Sequence, residues 1–464
     1  MKLRNYLLAG IALLGFAACT SDDDCPTGPV NPTPEGGSFF SIAFETPKLA
    51  GTRGNELEDT KVSSATIYLS QIEGDNIIIK DIIKDNLTIS EDETNKNIHY
   101  INGHTTLERG AYFVTIIANE KESQEISNLK VGANFLGTEA FNIDNLEKLH
   151  TKGGFLMMSS NKLKIYNGNK TFDPKKAIYN QAKNNSGDSF IELAENKQDN
   201  PAEVKVYLDR YVAKIDATVQ GTKEKDIIDI INIENKDGLK FKLTGFITLN
   251  IPKAGYIIEQ WNDNDDPTYI LSLNKDNKWS NQLGEYVKIN NGEVTDWQDN
   301  VSKEIFTSGT KYIIENNVTK FNDNKPTNAQ GYTTGVILKV SAGETFYAIQ
   351  DGVKWTFTKT KPESGTYYTY EDGVMYYTYF IPDLFKNEEI GTNTDRTGLY
   401  YTTMRNTWYK LNFKTITFPG GNLPGGDLPE PQNPDRPIDP NKYSVFNIEV
   451  FVNDWIEGDL NIEM

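Results

Sequence analysis

From Phe446 onward the even positions read Phe446, Ile448, Val450, Val452, Asp454, Ile456, Gly458, Leu460, Ile462 and Met464, while the odd positions are mainly Asn, Asp and Glu, with Phe451 and Trp455 as exceptions. A period of two is what a strand with one buried face requires; a helix needs 3.6. The same period opens the folded part of the chain, where Phe40, Ile42 and Phe44 alternate with smaller or polar residues. Strand-like runs recur at 65–69, 204–219, 243–251, 332–340, 367–381 and 407–418, and 107–119 reads as a turn feeding a long buried strand. Tyr (24) and Phe (22) are abundant, as strands favour. The expectation is an all-β fold with few short helices, one of them at 142–150. Pro201 marks a break in pattern and places a domain boundary near residue 200, to within about ten residues. The final amphipathic run either completes its own domain as a last strand or seeks a partner for its apolar face. Phe418 is followed by a Pro/Gly-rich run to Pro440 that excludes helix and central strand and reads as a long extended loop.

The chain start carries a different signal. Lys2 and Arg4 precede an apolar run from Tyr6 to Phe16, which ends in Phe16-Ala17-Ala18-Cys19. A basic start, a short apolar core and small residues before a cleavage point make a secretory signal, here residues 1–18. A cysteine directly after the small residues is the bacterial lipoprotein arrangement, so Cys19 is the expected lipidation site and mature N-terminus. The alternative is a chance cysteine. The apolar run is too short to span a bilayer. Residues 19–37, acidic and then rich in Pro and Gly, read as a lipidated flexible tether. Cys19 and Cys25 are the only cysteines, so the globular part has no disulfide and no thiol chemistry and relies on its core.

A net charge of −18 argues against binding nucleic acid or an anionic membrane surface through bulk charge. The histidines, His99, His104 and His150, sit in ordinary strand or loop contexts and read as surface residues. There is no HExxH, GxSxG, P-loop or CxxC. Asp263-Asn264-Asp265-Asp266 lacks the glycine and distal glutamate of an EF-hand loop and reads as a solvated acidic turn. A glycosidase carboxylate pair would be hidden among 65 acidic residues. Trp261, Trp279, Trp297 and Trp355 could form a sugar-stacking platform, but scattered tryptophans in a large β protein more often serve core or rim. The expectation is a non-enzyme with no catalytic residues, metal or cofactor.

Several segments, in order, resemble the fimbrillin family, the Bacteroidales subunits of type V pili. They are the lipobox at Cys19, the Leu107…Gly110-Ala111-Tyr112…Ala118-Asn119 strand, Phe155-Leu156-Met157-Met158-Ser159-Ser160, Leu208-Asp209-Arg210-Tyr211-Val212-Ala213-Lys214-Ile215, Val374 to Pro382, and Arg405-Asn406-Thr407-Trp408-Tyr409-Lys410-Leu411. Asp209 stands where the family usually has Glu, and Tyr follows Arg210. The acidic run after Cys19 resembles the surface-export tag of Bacteroidales lipoproteins. The resemblance implies two β-sandwich-like (transthyretin-like) domains in tandem, here 38–200 and 201–464. It implies a shaft subunit exported as an outer-membrane lipid-anchored precursor and cut after an arginine in the loop following the first strand. In this chain the cut falls between Arg53 and Gly54, with Lys48 as the alternative. The displaced first strand carries Phe40, Ile42 and Phe44, and a donor strand from the tail of the next subunit replaces it in a cell-surface fimbrium that supports adhesion and biofilm formation. By spacing, Leu460, Ile462 and Met464, with Ile456, are the donor residues; 446–452 is the alternative register, and 419–440 is the hinge. The implied partners are other fimbrial subunits (self-polymer, anchor and tip), a processing protease, and host or bacterial surface ligands. An anchor or tip subunit, or a surface glycan-binding lipoprotein, are the alternative functions.

Overall fold

The computed structural model describes residues 37–46, 61–73, 76–91, 93, 98–120, 129–135, 139–140, 150–151, 154–159, 190–194, 198–219, 221, 223–253, 255–256, 260–261, 270–271, 279–280, 285, 287–290, 293–297, 300–318, 333–381, 401–422 and 446–454. The architecture is the all-β sandwich expected, with several sheets, no barrel and no helix of seven or more residues among the described residues. The part of the helix expected at 142–150 that precedes His150 lies outside these residues. His150 itself pairs within a two-residue strand, His150–Thr151.

The first, nine-stranded sheet is built from β1 (Ser38–Glu45), β2 (Ala65–Glu73), β3 (Asn76–Ile83), β4 (Thr88–Glu91), β5 (Ile98–Thr105), β6 (Gly110–Ala118), β7 (Met157–Ser159), β8 (Phe190–Leu193) and β9 (Ala202–Arg210). Its order is β3-β2-β6-β7-β9-β1-β5-β4, with β8 also on β6. β9 is shared between two neighbours: residues 202–207 run parallel to β1, and Leu208, Asp209 and Arg210 run antiparallel to β7. A strand that changes partners along its length is how a sandwich turns a corner between layers. β6 is buried throughout from Tyr112 to Ala118, as a run apolar except for Thr115 predicts.

The chain then leaves this sheet. β10 (Ala213–Val219) belongs to a second one, with β11 (Asp229–Ile230), β14 (Lys311–Ile313), β20 (Thr407–Ile416) and β21 (Phe446–Asp454), in the order β11-β20-β10-β14 with β21 on the other edge of β20. A four-stranded sheet holds β12 (Ile233–Asn235), β17 (Lys354–Thr358), β16 (Phe346–Asp351) and β18 (Thr366–Tyr370). A three-stranded one holds β13 (Lys242–Leu249), β15 (Gly335–Ser341) and β19 (Val374–Phe380). Shorter pairs of strands connect these.

Two expected long strands are broken. The run 204–219 is interrupted at Tyr211 and Val212, because residues 208–213 are all buried: the backbone there passes between two sheets, so neither side faces water. The Tyr211 amide donates to Leu156 O (2.9 Å) and Val212 O accepts from the Asn406 amide (2.9 Å), so both are taken out of either ladder. The run 367–381 turns at Glu371–Gly373, where Asp372 and Gly373 have positive φ. A Cβ on Gly373 would stand 2.3 Å from Glu344 O, so only glycine fits that turn.

Candidate functional site

The position of β1 stands out. It is interior to its sheet, antiparallel to β5 on one side and parallel to β9 on the other, from Phe40 opposite Ala202 to Glu45 opposite Tyr207. Its apolar residues are fully sequestered: Phe40 is 1%, Ile42 0% and Phe44 0% exposed. Withdrawing β1 therefore leaves a slot one strand wide, with an open hydrogen-bonding edge on each side and three apolar pockets in its floor.

Each pocket has a physical origin. At Phe40 the cross-strand neighbours are Gly103 and Ala202, which are small enough to admit a ring between them. A Cβ on Gly103 would come within 2.6 Å of Phe40 Cζ and 2.9 Å of Leu87 Cδ2. At Ile42 the neighbours are the buried Ile101 and Val204. At Phe44 the His99 imidazole stacks on the phenyl ring, with centroids 5.0 Å apart and planes 12° from parallel. His99 is buried, not the surface residue its context suggested, because its strand position places it against Phe44. His104, near Phe39, is half-buried. Ser38 Oγ fixes the start of β1 by donating to Ala194 O.

The segment that begins at Lys61 is tied down by Asn119, directly after β6. Asn119 Oδ1 accepts from the Ser63 amide (2.8 Å), and Nδ2 donates to Lys61 O (2.9 Å) and Phe155 O (2.7 Å). The Asn119 amide donates to Ser64 O (2.8 Å). Asn119 is fully buried with φ at 62°, a backbone state that Asn tolerates better than most residues.

A buried polar junction links the first sheet to the second. Asn406 Nδ2 donates to Asp209 Oδ1 (2.9 Å), and Arg210 Nη1 donates to Asn406 Oδ1 (3.2 Å). Beside it Arg405 Nε donates to Glu315 Oε2 (2.7 Å), a second Arg405 nitrogen meets Glu315 Oε1, and Nη2 also reaches Tyr256 O (2.9 Å). The Arg405 guanidinium lies 4.8 Å from the Tyr211 ring centre. Burial pushes the Tyr211 phenol well above its ordinary pKa, against the opposing effect of the Arg405 charge. Two sequence motifs thus meet in one place: Leu208 to Ile215 supplies Asp209, Arg210 and Tyr211, and Arg405 to Leu411 supplies Arg405 and Asn406.

β20 begins at this junction. One edge of β20 carries β10 and β11, and the other carries β21 from Thr407 opposite Asp454 to Ile416 opposite Phe446. The outward row of β10 and β20 holds Trp408, whose Nε1 donates to Asp216 Oδ2 (2.6 Å) and whose ring lies 4.1 Å from Lys214 Nζ and 3.8 Å from Lys410 Nζ. Desolvation lowers the Lys410 pKa, helped by Lys214 and opposed by Asp216. After β20 the chain is held as far as Asn422. Tyr370 Oη donates to Gly420 O (2.7 Å), Tyr377 Oη to Phe418 O (3.0 Å) and Asn422 Nδ2 to Thr369 O (2.6 Å). The start of the run expected to be a hinge is therefore fixed.

Among the sequence-predicted residues, Phe40, Ile42 and Phe44 come together in the slot. Cys19, Lys48, Arg53, Gly54, Ile456, Leu460, Ile462 and Met464 lie outside the described residues, as do Asp263 to Asp266. Trp355 is buried against Tyr368 and Phe418. Gly103, His99 and Ala202 were not legible as functional positions, because their role exists only opposite β1. Among the described residues no group of three or more His, Cys, Asp or Glu side chains could hold a metal ion.

The fold is thus an all-β sandwich whose first strand is interior to a sheet and whose last described strand lies on a sheet edge. Residues 368–461 match the family described as "Major fimbrial subunit protein type IV, Fimbrillin, C-terminal", and over that segment the chain is similar to the fimbrillin family of fimbrial subunits. No curated protein matches by sequence. Among solved structures, the chain is similar to a protein of Parabacteroides distasonis provisionally described as a cell adhesion protein, at 14% identity and a TM-score of 0.44, over 90% of this chain and 100% of that one. It is also similar to the tip fimbrial protein Mfa3 of Porphyromonas gingivalis, C-terminally truncated, at 12% identity and a TM-score of 0.37, over 90% and 100%. The fimbrial anchor protein Mfa2 of the same organism aligns at 8% identity and a TM-score of 0.29, over 90% and 98%.

Proposed function

We propose that this chain is a fimbrial shaft subunit, exported as a lipoprotein acylated at Cys19 and cut between Arg53 and Gly54. It then polymerises by accepting a strand from the tail of the next subunit in place of β1. The placement of β1 supports this reading: it is paired with a strand on each edge, and it joins the rest of the fold through residues 46–61, the segment that holds Arg53. Cutting there turns β1 from part of the chain into a bound ligand. The Asn119 contacts to Lys61, Ser63 and Ser64 hold the remaining chain in place after such a cut. We place the division between the two domains at Tyr211–Val212, where the chain changes sheet. The proposed partners are further copies, anchor and tip subunits and a processing protease, with the fibre at the cell surface.

The second reading is a surface glycan-binding lipoprotein, and one observation favours it: β21 pairs along β20 within the same chain. An exposed tryptophan platform would be needed as well. Trp355 is buried and Trp408 is flanked by two lysines, so neither supplies it.

The test uses non-lipidated residues 20–464, treated with a trypsin-like protease at low dose, followed by N-terminal sequencing and size-exclusion chromatography. A stable product beginning at Gly54 that forms a ladder of multimers is expected. A product that stays intact, or that is cut and stays monomeric, would overturn the shaft reading and favour an anchor or the glycan-binding lipoprotein.

A further inference from the structure

The tail contains one strand pattern twice: Phe446-Asn447-Ile448-Glu449-Val450 and Leu460-Asn461-Ile462-Glu463-Met464. Both match the order of β1, Phe40-Ser41-Ile42-Ala43-Phe44, with apolar residues first, third and fifth and isoleucine central. Either copy could supply the isoleucine that sits between Ile101 and Val204. Both also place Glu where β1 has Ala43, opposite Lys205 of β9, which adds an opposite-charge cross-strand pair that β1 lacks.

The copies differ at the first position, Phe446 against Leu460, and at the fifth, Val450 against Met464; it is at the first that the shape of the slot discriminates. The Phe40 pocket is flanked by Gly103 and Ala202, and its space is ring-sized because Gly103 has no Cβ. A phenyl group fills it; a leucine leaves a void, and voids in buried sites are costly. Resting on the strand-exchange reading above, we propose that Gly103 and Ala202 select the first copy. The occupant is the 446–450 segment of a second chain, released from its pairing with β20 of that chain and running parallel to β9, with Phe446 between Gly103 and Ala202, Ile448 between Ile101 and Val204, and Val450 over His99. Gly103 is then the specificity-determining residue, and 460–464 is not the segment that takes this slot.

The experiment is peptide capture. The 20–464 protein is cleaved in the presence of a labelled peptide spanning either 444–454 or 456–464, and retention is measured by fluorescence anisotropy. The 444–454 peptide binds at least about ten-fold tighter, and its Phe446→Leu version loses most of that margin. A compensated protein, Phe40→Ala with Gly103→Val, moves bulk from β1 into the pocket wall so that the precursor can still close on β1. After cleavage it rejects the 444–454 peptide at least about ten-fold and recovers it when the peptide carries Phe446→Ala. Equal or tighter binding of 456–464 overturns the assignment, as does indifference to Phe446→Leu, or capture of neither peptide. Should the compensated protein fail to fold, the comparison of peptides on the wild-type protein still decides. Capture of 444–454 without a multimer ladder would leave the slot assignment standing and the polymer reading overturned. A ladder with 456–464 captured preferentially would do the reverse.

Discussion

Asn119 shows how one side chain can hold a chain segment in place. It joins Lys61, Ser63, Ser64 and Phe155 through its amide group and backbone, with no exposure to water. Asn119→Gly keeps the positive φ and removes the side-chain bonds, so unfolding in urea should show a loss of roughly 2–4 kcal/mol, at about 1 kcal/mol per bond plus the orphaned groups. Asn119→Ala should cost about 1 kcal/mol more, because alanine resists that backbone state. Equal losses for the two would mean the backbone is not held there. The buried pair Arg405–Glu315 gives a second test, since both side chains are almost fully enclosed. Arg405→Met alone strands a buried carboxylate and should cost roughly 3–5 kcal/mol, whereas Arg405→Met with Glu315→Leu should recover a large part of it. A double variant as unstable as the single would show that the contact of the Arg405 guanidinium with the Tyr211 ring dominates instead.

At the scale of strands, β20 is the element whose two edges have different fates. β10 and β11 are fixed by the core on one edge, and β21 rests on the other. Ending the chain after Asn422 should therefore deprotect alternate amides of 407–416, those facing β21, by at least about a hundred-fold in hydrogen exchange. Amides facing β10 should keep their protection; uniform loss along β20 would show that β21 is part of the core of its own sheet rather than a separable edge. The period-two pattern made β1, β6, β20 and β21 legible in the sequence, because each buries one face or both and the residues say so. The breaks were not legible. Tyr211 and Val212 read as a continuing strand, since the partners that remove them from the ladder, Leu156 O and the Asn406 amide, come from distant segments. Asp372-Gly373 does carry a turn signature, masked by the aromatic strand-like residues on either side of it. The slot follows the same rule: Phe40, Ile42 and Phe44 were visible as an apolar row, but the glycine and histidine that shape their pockets acquire meaning only through register.

For the whole molecule, charge and the assembly interface pull in opposite directions. The chain carries a net charge of −18, and the segment through Arg53 holds four basic against five acidic residues, so the proposed cut would leave the charge almost unchanged. Two such subunits repel one another as they approach, over a distance set by the Debye length: about 30 Å at 0.01 M salt and about 8 Å at 0.15 M. Under the proposed strand exchange, the gain on insertion would come from apolar side chains entering the three pockets and from two backbone ladders, neither of which salt screens. Repulsion therefore belongs to the approach and not to the seated strand. Raising salt from 0.01 to 0.15 M should speed ladder formation by cleaved subunits several-fold, while the dissociation rate of a ladder already formed stays within about a factor of two. Light scattering after rapid mixing measures the first, and dilution followed by size-exclusion chromatography the second. Faster assembly at low salt would mean that complementary patches, such as Lys205 facing an incoming Glu449, steer the encounter despite the net charge. Accelerated dissociation at high salt would mean that ion pairs carry the seated strand as well.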